Sequence, residues 1–260
     1  MLKLQDRFKV EEKLLSLGRT LFREIEPRDS MYKVSSFLIS QLREKPFERG
    51  DIWLTDAILV LLLTWHSAFY RYGTPENFHE NLKKFIEENS ELLSNSDEIS
   101  KEYAKQLFDE LLKILAITTK KKQKRKSGVA VVKVLHLLNP KTFPLWDNYI
   151  AEAYLGSVDL KKFDNYWQFK KIVDMQYSWF QRKFGEKMDI SRFYKILDEL
   201  NYVFFTQRSL NAESCERLVR LLKKYSPELK EAKDELEELL EESGISDNIY
   251  LEVLELGVCD

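Results

Sequence analysis

The apolar stretch from Ile52 to Trp65 constrains the fold of this chain more than any other feature. It lies in a predicted helix from Ile52 to Tyr72, whose large apolar side chains recur on nearly every face. A helix of that kind must be buried between other helices. The stretch contains Asp56 and is shorter than the roughly 20 apolar residues that cross a bilayer. We therefore expect a core helix in a protein without a membrane partner.

Composition favours helices along the rest of the chain. The 260 residues include only eight Gly and six Pro, whereas the abundant Leu, Glu and Lys are good helix formers. Periodic apolar residues predict further helices at 11–26, from 31 onward, and at 75–93, 97–118, 129–138, 148–154, 166–184 and 190–205. The predicted fold class is all-α.

The sequence carries no pattern typical of a metal site or of secretion. Cys215 and Cys259 are the only cysteines, and neither lies in a CxxC or Cys/His spacing that would bind zinc. The segment Met1–Arg7 is mixed and charged, unlike a signal peptide. We therefore predict no metal, no cofactor and a cytoplasmic location. The high Lys and Glu content with few Cys and Met is also typical of thermophilic proteins.

Charge is segregated along the chain, although the net charge is only −2. Every residue from Lys120 to Lys126 except Gln123 is basic, whereas Glu228–Asp260 holds twelve acids against two lysines. The basic run can neutralise phosphates of a nucleic acid, with steeply salt-dependent affinity, or it can be a solvated loop. The acidic segment can imitate nucleic-acid charge or mask the basic run. It can also be the solvated face of amphipathic helices.

The run Phe143–Asp147, which reads Phe-Pro-Leu-Trp-Asp, places an acid where a loop meets a helix beginning at Asn148. An aspartate at such an N-cap accepts backbone N–H bonds, which hold its carboxylate ionised and in one orientation. Many aspartates at such junctions do nothing but cap the helix. A fixed carboxylate can also stabilise the positive charge that develops on a sugar ring as its glycosidic bond breaks.

The segment Ser127–Gly156, read as helix, proline-containing loop, acid and helix, resembles the helix-hairpin-helix DNA glycosylase superfamily. In that family a loop of the form Phe-Pro-apolar-X-Asp leads to a helix that begins at the catalytic aspartate, and residues 143–147 match it in order. The segment Leu61–Ser67 is similar to the family's helix end that contributes to the base pocket and the DNA wedge. The family's Gly-apolar-Gly hairpin signature is replaced here by Lys120–Gly128.

The resemblance implies a DNA-repair glycosylase that flips a damaged or deaminated base out of double-stranded DNA and excises it. Asp147 would be the catalytic carboxylate. The base pocket would include the side chains of Trp65, His66, Tyr70 and Trp146. The residues that would hold the DNA backbone are Lys120, Lys121, Lys122, Lys124, Arg125, Lys126, Ser127 and Gly128.

The family's Schiff-base lysine would fall at about Gly128 or Val129, and neither carries an amine. Lys133 lies one helical turn after Val129 on the same face, so it is the candidate nucleophile for a lyase step. That role requires an amine of lowered pKa. The alternative is an amine that reaches the surface or forms a structural ion pair.

The aromatic residues assigned to the base pocket also have a structural interpretation. Trp65 can be a core side chain, because aromatic residues on buried helices usually are. His136 is alone on an apolar helix, and we expect it to be a hydrogen-bonded core histidine with no metal.

The resemblance further implies a two-lobed helical bundle with Asp147 at the cleft. Residues 1–50 and 140–260 would form the first lobe, ending in the acidic segment 228–260, and residues 51–139 would form a central lobe with the basic loop 119–128. We expect a monomer associated with the nucleoid. Two alternative functions remain open: a non-catalytic nucleic-acid-binding protein with this fold, and an interaction protein that uses its acidic C-terminal helices.

Overall fold

The computed structural model describes residues 7–42, 53–90, 99–119, 121, 123–185, 188–245 and 247–255. Its helices are α1 (Glu12–Ile25), α2 (Asp29–Leu42), α3 (Leu54–Trp65), α4 (Ser67–Tyr72), α5 (Phe78–Glu88), α6 (Lys101–Ile114), α7 (Gly128–Leu138), α8 (Asn148–Leu155), α9 (Phe163–Phe184), α10 (Ile190–Asn201), α11 (Arg208–Leu210), α12 (Ala212–Lys224), α13 (Ser226–Glu242) and α14 (Ile249–Glu255). A π-helical segment, Tyr202–Gln207, joins α10 to α11. The described residues therefore form an all-α fold, as predicted.

Two short strands accompany the helices. Strand β1 (Ile117–Thr118) pairs antiparallel with β2 (Lys124–Arg125). Among the helices of the described ranges, none combines the length and the apolar content needed to span a membrane.

The chain divides into two compact units. Of the described residues, those up to Glu26, 147–158 and those from Gln168 onward form the first unit, and 27–146 with 159–167 form the central unit. Residues 27–42, 140–146 and 159–167, predicted to lie in the first lobe, belong instead to the central unit. The physical reason is packing, because α2 packs against α3 and α7, and the Phe163 ring packs edge-on against Phe108 of α6.

In the central unit, the predicted helix from Ile52 to Tyr72 is wrong as a single helix, because the described part breaks at His66. His66 has an extended ψ of 103° and separates α3 from α4. The Trp65 carbonyl would accept a bond from the Phe69 N–H in a continuous helix. Instead it accepts from Lys133 Nζ, while the Phe69 N–H bonds to the His66 carbonyl. A tertiary contact therefore ends α3.

Helix α7 is the most completely buried element of the central unit. Every residue of α7 except Val129 is buried, and the helix packs against α2, α3 and α6. Its first residue is Gly128, a position that has no room for a side chain. A Cβ at Gly128 would lie 1.8 Å from the Leu160 carbonyl oxygen. This glycine, predicted as a DNA contact, is therefore a close-packing residue.

In the first unit, α1 packs against α10 and α13. The acidic helix α13 buries one apolar face formed by Ala232, Leu236, Leu239 and Leu240. Its acids Glu231 and Glu235 both contact the Lys13 amine of α1. The described part of the acidic segment, residues 228–245 and 247–255, thus lies largely on amphipathic helices, as predicted, and residues 246 and 256–260 lie outside the described residues.

Candidate functional site

The segment 119–128, predicted as a basic loop, includes among its described residues one strand of a β-hairpin. Strand β2 consists of Lys124 and Arg125, which pair with Thr118 and Ile117. The side chains of Lys121, Lys124, Arg125 and Lys126 are exposed. Lys120 and Lys122, also predicted to contact DNA, lie outside the described residues. The described cations are therefore accessible to a polyanion.

Ser127 joins this hairpin to α7 and to the break between α3 and α4. Its hydroxyl oxygen caps α7 by accepting a bond from the Ala130 N–H at 3.3 Å, and it lies 2.8 Å from His66 Nε2. Burial lowers the pKa of His66 to about 4, with the positive charges of Lys133 and Arg125 acting in the same direction. The imidazole is therefore neutral at pH 7, and its contact with Ser127 is a neutral hydrogen bond.

Lys133 is a buried lysine on α7 whose amine faces a helix end. Its Nζ donates to the Trp65 carbonyl at 2.5 Å and lies 5.6 Å from the centroid of the Trp65 ring. The side chain of Lys133 is almost fully buried. The amine therefore does not extend to the surface, and its hydrogen bond to a main-chain carbonyl is that of a structural donor.

The Trp65 side chain is half-buried and is held by a hydrogen bond and by a stacked aromatic ring. Its Nε1 donates to the Arg28 carbonyl at 3.0 Å, and its ring stacks at 6.0 Å from that of Tyr32. The two other aromatic residues assigned to the base pocket differ sharply in exposure, because Tyr70 is 82% exposed and Trp146 is 1% exposed. Trp146 packs edge-on against Tyr166. It is a core side chain here, without an exposed face on which a base could stack.

The loop that precedes Asp147 is fixed by two hydrogen bonds. His136 is fully buried, and its Nδ1 lies 2.7 Å from the Phe143 carbonyl oxygen. Because a carbonyl can only accept a hydrogen bond, Nδ1 carries the proton and is the donor. Its Nε2 lies 2.7 Å from the Tyr32 hydroxyl. The Tyr166 hydroxyl donates to the Pro144 carbonyl at 3.0 Å. The predicted core histidine is therefore confirmed, and it holds the loop.

Asp147 begins the first unit's short helix α8 as its N-cap. Its Oδ1 accepts bonds from the Tyr149 and Ile150 N–H groups, both at 2.9 Å. Its Oδ2 accepts a bond from the Thr206 hydroxyl at 2.6 Å. A carboxylate has about four lone-pair sites, so these contacts leave room for one more. The side chain is half-buried, which leaves it partly accessible.

Thr206 was not anticipated from the sequence. It lies 59 positions from Asp147, on a π-helical segment of which only residues 202–205 were predicted, as the end of an ordinary helix. No local sequence signal marks either feature, because the contact depends on how α8 packs against that segment.

The predicted site residues fall into two groups. The central unit brings together Trp65, His66, Ser127 and Lys133, whereas Asp147 belongs to the first unit. No described group of three or more His, Cys, Asp or Glu side chains is arranged to hold a metal ion. Fold and site together define an all-α protein that has a carboxylate held by three hydrogen bonds, at Asp147, and an exposed basic hairpin. No family model, curated protein or solved structure matches the chain.

Proposed function

We propose that the protein is a DNA glycosylase that hydrolyses the bond between deoxyribose and a damaged or deaminated base. The observation that carries this proposal is the Asp147 carboxylate, which is half-buried, oriented by three hydrogen bonds and still able to accept another. The order Phe-Pro-Leu-Trp-Asp at residues 143–147 supports the same function by its resemblance to helix-hairpin-helix glycosylases.

The chemistry follows from the charge of the carboxylate. As the glycosidic bond breaks, the base leaves with the bonding electrons and positive charge develops on the sugar ring. A preoriented carboxylate stabilises that charge without reorganisation. The free lone pair of Asp147 can accept a hydrogen bond from the attacking water, whose oxygen adds to the anomeric carbon. The proton that the water loses is balanced by the proton that the departing base takes up. The products are the free base and an abasic site.

The position of Lys133 favours hydrolysis over a lyase step. A Schiff-base amine must be neutral and free to attack the sugar. Lys133 Nζ instead donates to the Trp65 carbonyl at 2.5 Å, the contact that ends α3. Forming a Schiff base would require breaking this contact inside the central unit. We therefore propose an enzyme that releases the base and leaves the abasic strand uncut.

Double-stranded DNA is the proposed partner, and the hairpin cations would hold its phosphates. Replacing Lys124, Arg125 and Lys126 together by Ala is expected to weaken duplex binding and to reduce the slope of log affinity against log salt by about 2 to 3. A salt titration of binding to an undamaged duplex measures both effects. We expect the enzyme to act as a cytoplasmic monomer associated with the nucleoid.

A matched control removes the same charges elsewhere. The triple variant Arg220→Ala, Lys223→Ala, Lys230→Ala also deletes one Arg and two Lys at exposed positions, on α12 and α13. If both triple variants reduced the slope equally, binding would depend on net charge alone. The hairpin would then not be the DNA contact.

The test of the proposed activity is excision from duplexes that each carry one deaminated, oxidised or alkylated base. We expect at least one of them to yield an alkali-sensitive abasic site, with the strand uncut before alkali and no adduct trapped by borohydride. A trapped adduct that survives Lys133→Ala would assign the chemistry to another lysine. If no lesion is excised under any condition, the glycosylase proposal fails.

One observation favours a second candidate, a non-catalytic DNA-binding protein. All three hydrogen bonds to Asp147 come from its own unit, as they would for a purely structural cap. This candidate predicts salt-dependent duplex binding through the hairpin with no excision of any lesion. The same panel of duplexes therefore separates the two functions.

A further inference from the structure

We propose that Thr206 is a positioning residue for Asp147, and that the π-helical segment Tyr202–Gln207 places it there. The inference rests on the proposed function, in which the Asp147 carboxylate stabilises a developing sugar cation. Nothing in the sequence pattern around residues 143–147 indicates it.

The geometry of the contact fixes the rotation of the carboxylate. Oδ1 is held by the N–H groups of Tyr149 and Ile150, whereas Oδ2 is held by the Thr206 hydroxyl alone at 2.6 Å. A hydroxyl donor at that distance from a carboxylate makes a strong, charge-assisted bond. Without it, only the two backbone N–H bonds to Oδ1 would resist rotation about the Cβ–Cγ bond, a rotation that moves both oxygens together. The oxygen available to a substrate would then lose its orientation.

The π-helical segment explains how Thr206 reaches this position. From Tyr202 the backbone changes from the i→i+4 bonding of α10 to the i→i+5 pattern of a π-helix, which turns the following residues onto a different face. The five consecutive residues 203–207 are all buried, and α1, α8 and α12 pack around them. π-Helical turns are rare and are enriched at functional sites. Here the altered face presents the Thr206 hydroxyl to α8.

Both ends of the segment are anchored by polar contacts within the first unit. The Tyr202 hydroxyl donates to Glu26 Oε2 at 2.8 Å, and the Thr206 hydroxyl donates to Asp147. Thr206 itself is only 4% exposed, so water cannot readily replace its hydroxyl. The rigid position of the donor follows from this burial and from the anchored start of the segment.

The test compares Thr206→Val, which keeps the shape and removes the hydroxyl, with Thr206→Ser, which keeps the hydroxyl. With a lesion that the wild-type protein excises, we expect Thr206→Val to slow single-turnover excision roughly 30-fold, the range for a lost hydrogen bond to a charged group. Affinity for the uncut duplex should stay within about twofold, because ground-state binding does not use the contact. Thr206→Ser should restore the rate to within about threefold of wild type.

Amide hydrogen exchange provides a readout that does not depend on activity. We expect Thr206→Val to lower the protection of the Tyr149 and Ile150 amides, which cap onto Asp147, and Thr206→Ser to preserve it. Thr20→Val, at an exposed hydroxyl of α1 in the same unit, is the control and should change neither amide. If Thr206→Val fails to fold, Thr206→Ala removes the hydroxyl with a smaller side chain.

The outcomes separate the two proposals. A wild-type protein that excises no lesion overturns the proposed function, and amide exchange then still decides whether Thr206 orients Asp147. Wild-type excision with an unaffected Thr206→Val variant overturns the positioning role and leaves the proposed function standing. A Thr206→Ser variant as slow as Thr206→Val would also overturn it, because the hydroxyl would then not be the group that matters.

Discussion

Replacing Asp147 by Asn is expected to slow base excision by about 100- to 1000-fold, the usual loss when a group that stabilises transition-state charge is removed. Asparagine has the same shape and is an equally good N-cap, so its side-chain oxygen can still accept the Tyr149 and Ile150 N–H bonds. What it lacks is the negative charge that the developing sugar cation requires. Single-turnover excision of a lesion that the wild-type protein cuts measures the effect.

Affinity for the uncut duplex distinguishes a loss of catalysis from a folding defect. Asp147→Asn should bind the uncut duplex within about twofold of wild type. The control is Asp189→Asn, which changes another capping aspartate of the first unit, one that accepts a bond from the Arg192 N–H at 3.1 Å. It should excise at the wild-type rate. An Asp147→Asn variant with wild-type excision would show that Asp147 is only a helix cap.

The second large effect is expected on stability, at Glu11, the N-cap of α1. Glu11 is 2% exposed, and its carboxyl group accepts bonds from the Lys13 and Leu14 N–H groups. Burial raises the pKa of Glu11 from its usual 4.5 to about 8, with the backbone bonds opposing the shift and Glu235 of α13 adding to it. Glu235 of α13 is the side chain that acts electrostatically on the Glu11 carboxyl, and the Lys13 amine of α1 contacts both Glu231 and Glu235.

The sign of the pH dependence follows from this raised pKa. Between pH 4.5 and about 8, the folded protein keeps a proton on Glu11 that the unfolded chain has lost, so stability falls as pH rises. Each unit of pKa difference corresponds to about 1.4 kcal/mol. We therefore expect the contribution of Glu11 to the free energy of unfolding to fall by about 3 kcal/mol between pH 5 and pH 8.

Glu11→Gln isolates this contribution, because glutamine can still accept the capping bonds and cannot ionise. Urea denaturation of both proteins at pH 5 and pH 8 should show the wild type losing about 3 kcal/mol relative to the variant. Glu12→Gln removes a carboxyl from the same turn at an exposed position and should leave the wild-type pH dependence in place. Parallel pH profiles for wild type and Glu11→Gln would contradict the prediction.

Features that depend on neighbouring residues could be predicted from the sequence. Helix α7 was predicted at 129–138 and is observed at Gly128–Leu138, and α8 was predicted at 148–154 and is observed at Asn148–Leu155. The capping role of Asp147 and the buried state of His136 were also evident. These features can be recognised in the sequence because their causes act over only a few residues. The causes are helix periodicity, N-cap chemistry and the helix-breaking effect of Asn139-Pro140.

Features that depend on distant partners could not be predicted in this way. The break at His66 depends on Lys133 of another helix, and the burial of Trp146 depends on Tyr166. The basic run has the composition of a loop, yet β1 supplies a pairing partner for Lys124 and Arg125. In each case the deciding contact joins residues that are far apart in sequence, and local propensity does not predict such contacts.

The environment of Asp147 depends both on neighbouring residues and on a distant partner. The sequence by itself determined that an acid caps α8 and accepts backbone N–H bonds there, because capping is a local interaction. Only the tertiary structure decided that Thr206 holds the other oxygen. That contact required the π-helical change of face after Asn201 and the packing of α8 against it, and both arise from long-range packing that a sequence pattern does not encode.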